Sequence, residues 1–285
     1  MPTPRGGEAI VDAIVDLAGR LCDQADGNGV TAVGLGAPGL VDRSGTLRMG
    51  PNLPGVVDLA LAELLSKRLG LPVVVDNDAT SAAWAEHEWG AARGHDHSMT
   101  VSLGTGIGAG FTVKGHVLRG ANGFAGEPGH MVVNPTGPLC PCGKRGCWER
   151  YASGSGLGRL AREAAHAGVA PTLVERAGGE PEDVRGEHVT DAAREGDPAA
   201  EEVLSRFSWW VALGLANLVN ILDSDVIVIA GGLAEAGDLI LGPTRAAYRD
   251  LVLAADHRPE VPIHAAELGE HAGAIGAGLL AVARH

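Results

Sequence analysis

Apolar residues recur at spacings of three and four from Glu8 to Cys22, at Ile10, Ile14, Leu17 and Leu21, which predicts an amphipathic opening helix. A short apolar run from Thr31 to Gly36 reads as a strand entering the turn Ala37-Pro38-Gly39. A second helix is expected over Leu59 to Leu69, ended by Gly70. Val73 to Val75 form a buried strand that runs into Asp76-Asn77-Asp78, and a helix rich in Ala and Trp follows from Ala79 to Trp89. Met99 to Val113 is apolar and glycine-rich, with Lys114-Gly115-His116 as a hairpin turn before Val117 and Leu118. Ser155 to Ala167 and Asp191 to Asn220 read as helices, separated by a polar, acidic stretch expected to be solvated. The β-branched run Asp225 to Ala230 has the character of a strand buried on both faces and ends in Gly231-Gly232. Val261 to Leu268 is expected as a last strand and Ala272 to Arg284 as a closing helix.

Strand and helix follow one another in corresponding order in the two halves, which suggests a duplicated α/β unit with ligand bound in the cleft between its halves. The expected boundaries are 1–98 for the first domain, completed by the closing helix 272–285, and 99–271 for the second. The second half opens with a hairpin that the first half lacks. A chain of 285 residues exceeds one comfortable core, in keeping with two domains. Its net charge of −13 repels polyphosphate backbones, which argues against nucleic acid as a partner. The longest weakly polar run, Trp209 to Leu222, contains Asn217 and Asn220 and is well short of a bilayer span, so no membrane partner is expected. No charged-then-apolar leader opens the chain, and the expectation is a cytoplasmic protein.

Three of the four cysteines fall between residues 140 and 147, and with His130 they form the pattern H-x9-C-x-C-x4-C. Three thiolates and an imidazole, His130, Cys140, Cys142 and Cys147, suit a tetrahedral zinc site, and Gly143 and Gly146 let main-chain N–H groups turn toward sulfur. Four protein ligands leave no position for water, so the zinc is structural. A disulfide or unrelated buried cysteines are the alternative, disfavoured by the reducing compartment that an acidic, leaderless chain suggests. Cys22 is left as a small core residue.

Leu103-Gly-Thr-Gly-Ile-Gly-Ala-Gly110 places glycine at alternate positions beside a strand and exposes N–H groups where a phosphate chain could lie, or else forms a hairpin with no ligand. Asp76-Asn77-Asp78 closes a strand and opens a helix, where an Asp serves as a general base or as an N-cap. Glu127 and Glu149 flank the metal ligands, and a zinc-braced loop would fix both carboxylates for a polyhydroxylated ligand.

In combination these residues resemble the ROK sugar kinases, and within them the zinc-containing bacterial glucokinases. The resemblance runs from the Gly-rich segment at Leu103 through Gly120 and Gly126-Glu-Pro-Gly-His130 into Cys-Pro-Cys-Gly-Lys-Arg-Gly-Cys-Trp-Glu at Cys140 to Glu149. Gly34-Leu-Gly-Ala-Pro-Gly39, Pro51-Asn52, Asn77-Asp78-Ala79, Ala230-Gly231-Gly232 and Gly269 to Gly276 are further landmarks. The resemblance implies a two-domain duplicated fold of the ribonuclease H-like, actin-like ATPase type. It also implies ATP-dependent phosphorylation of a hexose at its 6-hydroxyl, glucose to glucose 6-phosphate, with ATP, Mg²⁺ and structural Zn²⁺. Asp78 would be the base that takes the hydroxyl proton, and Asn77, Glu127, His130 and Glu149 would bind sugar hydroxyls. His130 would hold zinc through one ring nitrogen and face the sugar with the other. Gly104, Thr105 and Gly106 would contact nucleotide phosphates, and Gly231 and Gly232 the adenosine. Dimers and tetramers are usual in the family, which implies a homo-oligomer.

Family kinases begin with a strand hairpin bearing a first phosphate loop, Asp-x-Gly-x-Thr, and nothing from Met1 to Gly29 matches it. Either the natural start lies further upstream, the favoured reading, or the chain is a weakened kinase or a catalytically silent sugar binder. Fructose, N-acetylglucosamine and N-acetylmannosamine are the alternative substrates.

Overall fold

A computed structural model describes residues 3–25, 29–50 and 53–283. The expected landmark Pro51-Asn52 lies outside the described residues. The elements in chain order are α1 (Gly7–Gln24), β1 (Val33–Ala37), β2 (Leu40–Val41), β3 (Leu47–Met49), β4 (Val57–Leu59), α2 (Leu61–Leu69), β5 (Val73–Asn77) and α3 (Asp78–Trp89). Next come β6 (Ser98–Leu103), β7 (Ile107–Val113), β8 (His116–Val117), α4 (Glu149–Ala152), α5 (Gly154–His166), α6 (Pro171–Arg176) and α7 (Gly186–Arg194). The chain ends with α8 (Pro198–Leu222), β9 (Val226–Ala230), α9 (Asp238–Leu251), β10 (Ile263–Ala265) and α10 (Ala272–Ala283).

The chain divides into two compact units, one of residues 1–96, 110–126 and 267–285, the other of 97–109 and 127–266. Segment 110–126 thus groups with the first unit, where a boundary at residue 98 had put it in the second.

In the first unit β1 and β5 pair in parallel from Val33 opposite Val73 to Ala37 opposite Asn77. Ile10, Val11, Leu61, Leu65 and Val75 form its core with Leu47, each large aliphatic side chain contributing about 1.5–3 kcal/mol by leaving water. The small three-stranded antiparallel sheet β2-β3-β4 was not foreseen, because strands of two or three residues are too short to show a period. Lys114 and Gly115 both take positive φ, 54° and 70°, in the turn that joins β7 to β8, as the hairpin signal required.

In the second unit β6, β9 and β10 are parallel, with β9 in the middle and every residue of it buried. β7 starts here after the glycine-rich turn and runs on into the first unit. The single helix expected over Asp191 to Asn220 is two helices. Gly196 turns the chain at φ 83°, Asp197 caps α8 by accepting from the Ala200 N–H at 2.8 Å, and Pro198 takes the first helical position. The stretch expected to be solvated holds α6 and the start of α7, anchored by fully buried Leu173, Val184 and Val189. No helix among the described residues is long and apolar enough to cross a membrane.

Candidate functional site

The metal-ligand set assembles in the second unit. One donor atom from each of His130, Cys140, Cys142 and Cys147 lies within 4.8 Å of all the others. Cys142 and Cys147 sulfurs are 3.5 Å apart, and Cys140 Sγ is 3.8 Å from His130 Nδ1. A tetrahedral zinc with Zn–S bonds of about 2.3 Å needs ligand separations of about 3.8 Å, so the donor set and spacing fit that ion. Burial pushes the Cys140 thiol up to about 12 and raises that of Cys147, whereas the Lys144 N–H lowers that of Cys142. Forming thiolates at Cys140 and Cys147 is therefore costly unless a cation stands beside them, and metal binding would release those protons.

The loop holding them is a tight main-chain construction. Cys140 N–H donates to Lys144 O at 2.8 Å, Gly146 N–H to Pro138 O at 2.9 Å and Trp148 N–H to Met131 O at 2.8 Å. Gly146 has φ 68°, and a Cβ there would stand 1.5 Å from Asn134 O, so no other residue fits. Behind the loop, Trp148 is wholly buried and donates its indole N–H to Trp210 O at 2.6 Å. That anchor fixes the start of α4, and with it Glu149.

Glu149 faces two ways. Its Oε1 accepts from the Cys140 thiol at 3.4 Å and lies 3.8 Å from His130 Nδ1, while its Oε2 accepts from the Ile107 N–H at 3.4 Å. One carboxylate therefore touches both the sulfur cluster and the glycine-rich turn. Glu127 precedes the short helical turn at Pro128–His130, and its carbonyl accepts the His130 N–H at 3.2 Å. His130 directs Nδ1 at the sulfurs, which leaves Nε2 for other partners.

The glycine-rich turn is closed by Gly104 N–H donating to Gly106 O at 3.0 Å. Gly104 and Thr105 line a cavity of about 480 Å³ together with Gly154, Ser155, Gly232 and Leu233. Gly231 packs behind it, against the main chain of Leu103. Gly106 instead faces Glu149, 2.6 Å from Oε2 to the Cβ it lacks. Gly154 and Ser155 were not singled out in the sequence, although Ser153-Gly154-Ser155-Gly156 carries an N-cap signature. Ser153 Oγ accepts from Gly156 N–H at 3.2 Å, and Ser155 Oγ donates to Thr105 O. The N-terminus of the thirteen-residue α5 thereby opens into the cavity, where its unpaired N–H groups and dipole favour an anion.

In the first unit the strand-end triplet divides its labour. Asn77 is the N-cap of α3, its Oδ1 accepting from Thr80 N–H at 3.0 Å and its Nδ2 donating to Gly39 O at 3.1 Å. Asp76 is 5% exposed and paired with Arg119, whose Nε stands 2.7 Å from Oδ2, a partner the sequence did not reveal. Asp78 is thus left without a capping task. The residue is exposed, its Oδ1 accepts from Ala79 N–H at 2.8 Å, and desolvation by the protein around it outweighs that hydrogen bond and raises its carboxyl above the ordinary aspartate value.

A family model described as the ROK family matches residues 1–284. A glucokinase of Streptomyces coelicolor is 40% identical over 284 residues, which cover 99% of this chain and 88% of that protein. The crystal structure of a ROK family glucokinase from Streptomyces griseus in complex with glucose and AMPPNP is 39% identical with a TM-score of 0.85, over 99% of this chain and 90% of that one. A ROK hexokinase from Thermus thermophilus is 36% identical with a TM-score of 0.84, over 100% and 89% respectively.

Proposed function

Since the chain belongs to the ROK family and so has the ribonuclease H-like, actin-like ATPase fold, we propose that it is an ATP-dependent glucokinase making glucose 6-phosphate. The observation that carries the reading is the two-sided contact of Glu149, which puts a hydroxyl-binding carboxylate between the zinc-type cluster and the turn bearing Gly104 and Thr105.

In this reading Glu127, Glu149 and the free Nε2 of His130 bind sugar hydroxyls, and Asn77 offers its remaining amide hydrogen. Asp78 takes the proton of the 6-hydroxyl as its oxygen attacks the γ-phosphorus, and ADP leaves with the electron pair of the broken P–O bond. The raised pKa of Asp78 suits that task, since a base that is too weak takes no proton. The N–H groups of Gly104 and Thr105 and the start of α5 neutralise phosphate charge, with Gly231 and Gly232 beside the adenosine. His130, Cys140, Cys142 and Cys147 would hold zinc, which would supply rigidity to the loop. No carboxylate lines the phosphate cavity among the described residues, so Mg²⁺ would arrive on the nucleotide, held by its phosphates. A cysteine cluster that must stay reduced to hold a metal, together with the need for ATP, supports a cytoplasmic setting at the entry to sugar breakdown, and the family resemblance supports a homo-oligomer.

A coupled assay of glucose 6-phosphate formation tests the reading, run on this chain and on a form with a strand hairpin added before Met1. Glucose turnover that exceeds that of fructose, N-acetylglucosamine and N-acetylmannosamine is the expected result. Calorimetric glucose binding without turnover in either form would favour the silent sugar binder instead.

A further inference from the structure

The second unit holds a further cavity, of about 550 Å³, between the C-terminal half of α9, the connection that follows it and the first residues of β10. It shares no residue with the phosphate cavity. β9 and β10 are parallel; Gly231-Gly232 follow the C-terminal end of β9, whereas this cavity lies at the N-terminal end of β10. Five strand residues at about 3.3 Å each separate the two ends, about 17 Å.

We propose that this cavity is a binding site for a small organic anion with a flat apolar body and one phosphate or carboxylate head. Val252, Val261, Pro262 and the ring of Tyr248 supply apolar wall. Arg245, Arg249 and Arg258 outnumber Asp256 and Glu260 in the lining, which is net positive in a chain of net charge −13. The arginines are not equally available. Arg245 is spent on Ile263 O, at 3.0 and 2.8 Å, and on Asp238 at 3.0 Å. Arg258 pairs through Nη2 with Asp223 at 2.9 Å. Arg249 has only a loose ion pair, 3.8 Å from Asp256, with both side chains largely exposed. Its guanidinium, held only at that distance, can turn from Asp256 to grip an anion in the bidentate manner.

Two further polar atoms in the same wall lack partners. Tyr248 is 6% exposed, and its hydroxyl makes no hydrogen bond; nor does the buried Nε of Arg258. Buried polar groups are paired in nearly all native proteins, so these two atoms, sealed just behind the wall, would gain partners if a seated ligand shifted it. The connection is also strained, since Ala254 sits at φ 56°, a left-handed conformation that costs a non-glycine residue about 1 kcal/mol or more and that clusters at ligand clamps.

Calorimetry on the full chain with phenyl phosphate, benzoate and inorganic phosphate tests the assignment. Saturable one-to-one binding of phenyl phosphate or benzoate is expected, unchanged by a non-hydrolysable ATP analogue and weakened at least tenfold by Arg249→Ala. The exposure of Arg249 makes that variant harmless to folding, and an unchanged melting curve checks this. Absence of saturable binding, displacement by the ATP analogue, or full binding by Arg249→Ala would overturn the proposal. Inorganic phosphate binding as tightly as phenyl phosphate would overturn the apolar half of it.

Discussion

At the residue scale, Asp78 and its neighbour Asn77 divide the catalytic task proposed for the first from the capping task of the second. The triplet Asp76-Asn77-Asp78 was visible in the sequence, but which member caps α3 was not, because Asn and Asp cap equally well. The coordinates give capping to Asn77 and an arginine to Asp76, and leave Asp78 with a carboxyl whose pKa burial raises. A raised carboxyl pKa means that the folded state binds the proton more tightly than the unfolded chain. Asp78 therefore costs stability once the pH exceeds its folded pKa, and that cost is absent below the unfolded value. Asp78→Asn should lower kcat by about 10²–10⁴-fold with little change in KM for glucose, and should raise the melting temperature at pH 7. In the parent enzyme kcat should fall as acid protonates Asp78, with a midpoint above the ordinary aspartate range. A variant as active as the parent would remove Asp78 from the chemistry.

At the element scale, close approach decides what can be changed. α10 lies on α3 and β1 so tightly that a Cβ on Gly276 would stand 1.7 Å from Ser81 O, and one on Gly34 would stand 1.9 Å from Ala277 O. Gly276→Val must push α10 off its seat, so a loss of at least about 1–3 kcal/mol is expected in urea denaturation. The β2–β3 hairpin has a different dependence. Burial alone would push the Asp42 carboxyl up, but hydrogen bonds from Ser44, Thr46 and Arg48 outweigh it and hold its pKa at about 2. The folded value lies below the unfolded one, so this stabilisation is complete above about pH 4 and disappears as the pH falls through about 2. Asp42→Asn should reduce stability at pH 7 and flatten its decline between those limits, as thermal melts across the acid range would show. Long periodic elements such as α1, α2 and α5 were legible to within about two residues. The break at Gly196-Asp197-Pro198 was not respected, because apolar positions on both sides keep a helical spacing across it. The caps were there to be read.

At the scale of the whole molecule, the parts of the site that one continuous segment carries were legible, and those that distant segments bring together were not. His130 and the three cysteines lie within eighteen consecutive residues, and their spacing already implied a metal. The contact of Glu149 with Ile107 joins segments 42 residues apart, and that of Ser155 with Thr105 joins segments 50 apart. Neither has a local pattern, since only the fold of the second unit brings them together. The same distinction separates the effects of removing zinc. With zinc in the proposed site, His130 and the cysteine loop would depend on the ion, whereas Trp148 is held by Trp210 and the cavity at Gly104 is lined from the ends of β6 and β9 and the start of α5, none of which offers it a ligand. Chelation should therefore raise KM for glucose about tenfold or more through His130 and Glu127, while calorimetry finds the affinity for a non-hydrolysable ATP analogue within about twofold of its starting value. Added Zn²⁺ should restore glucose binding. Equal loss of both affinities would mean that the ion holds the whole unit together, and unchanged glucose binding that the loop keeps its shape without it.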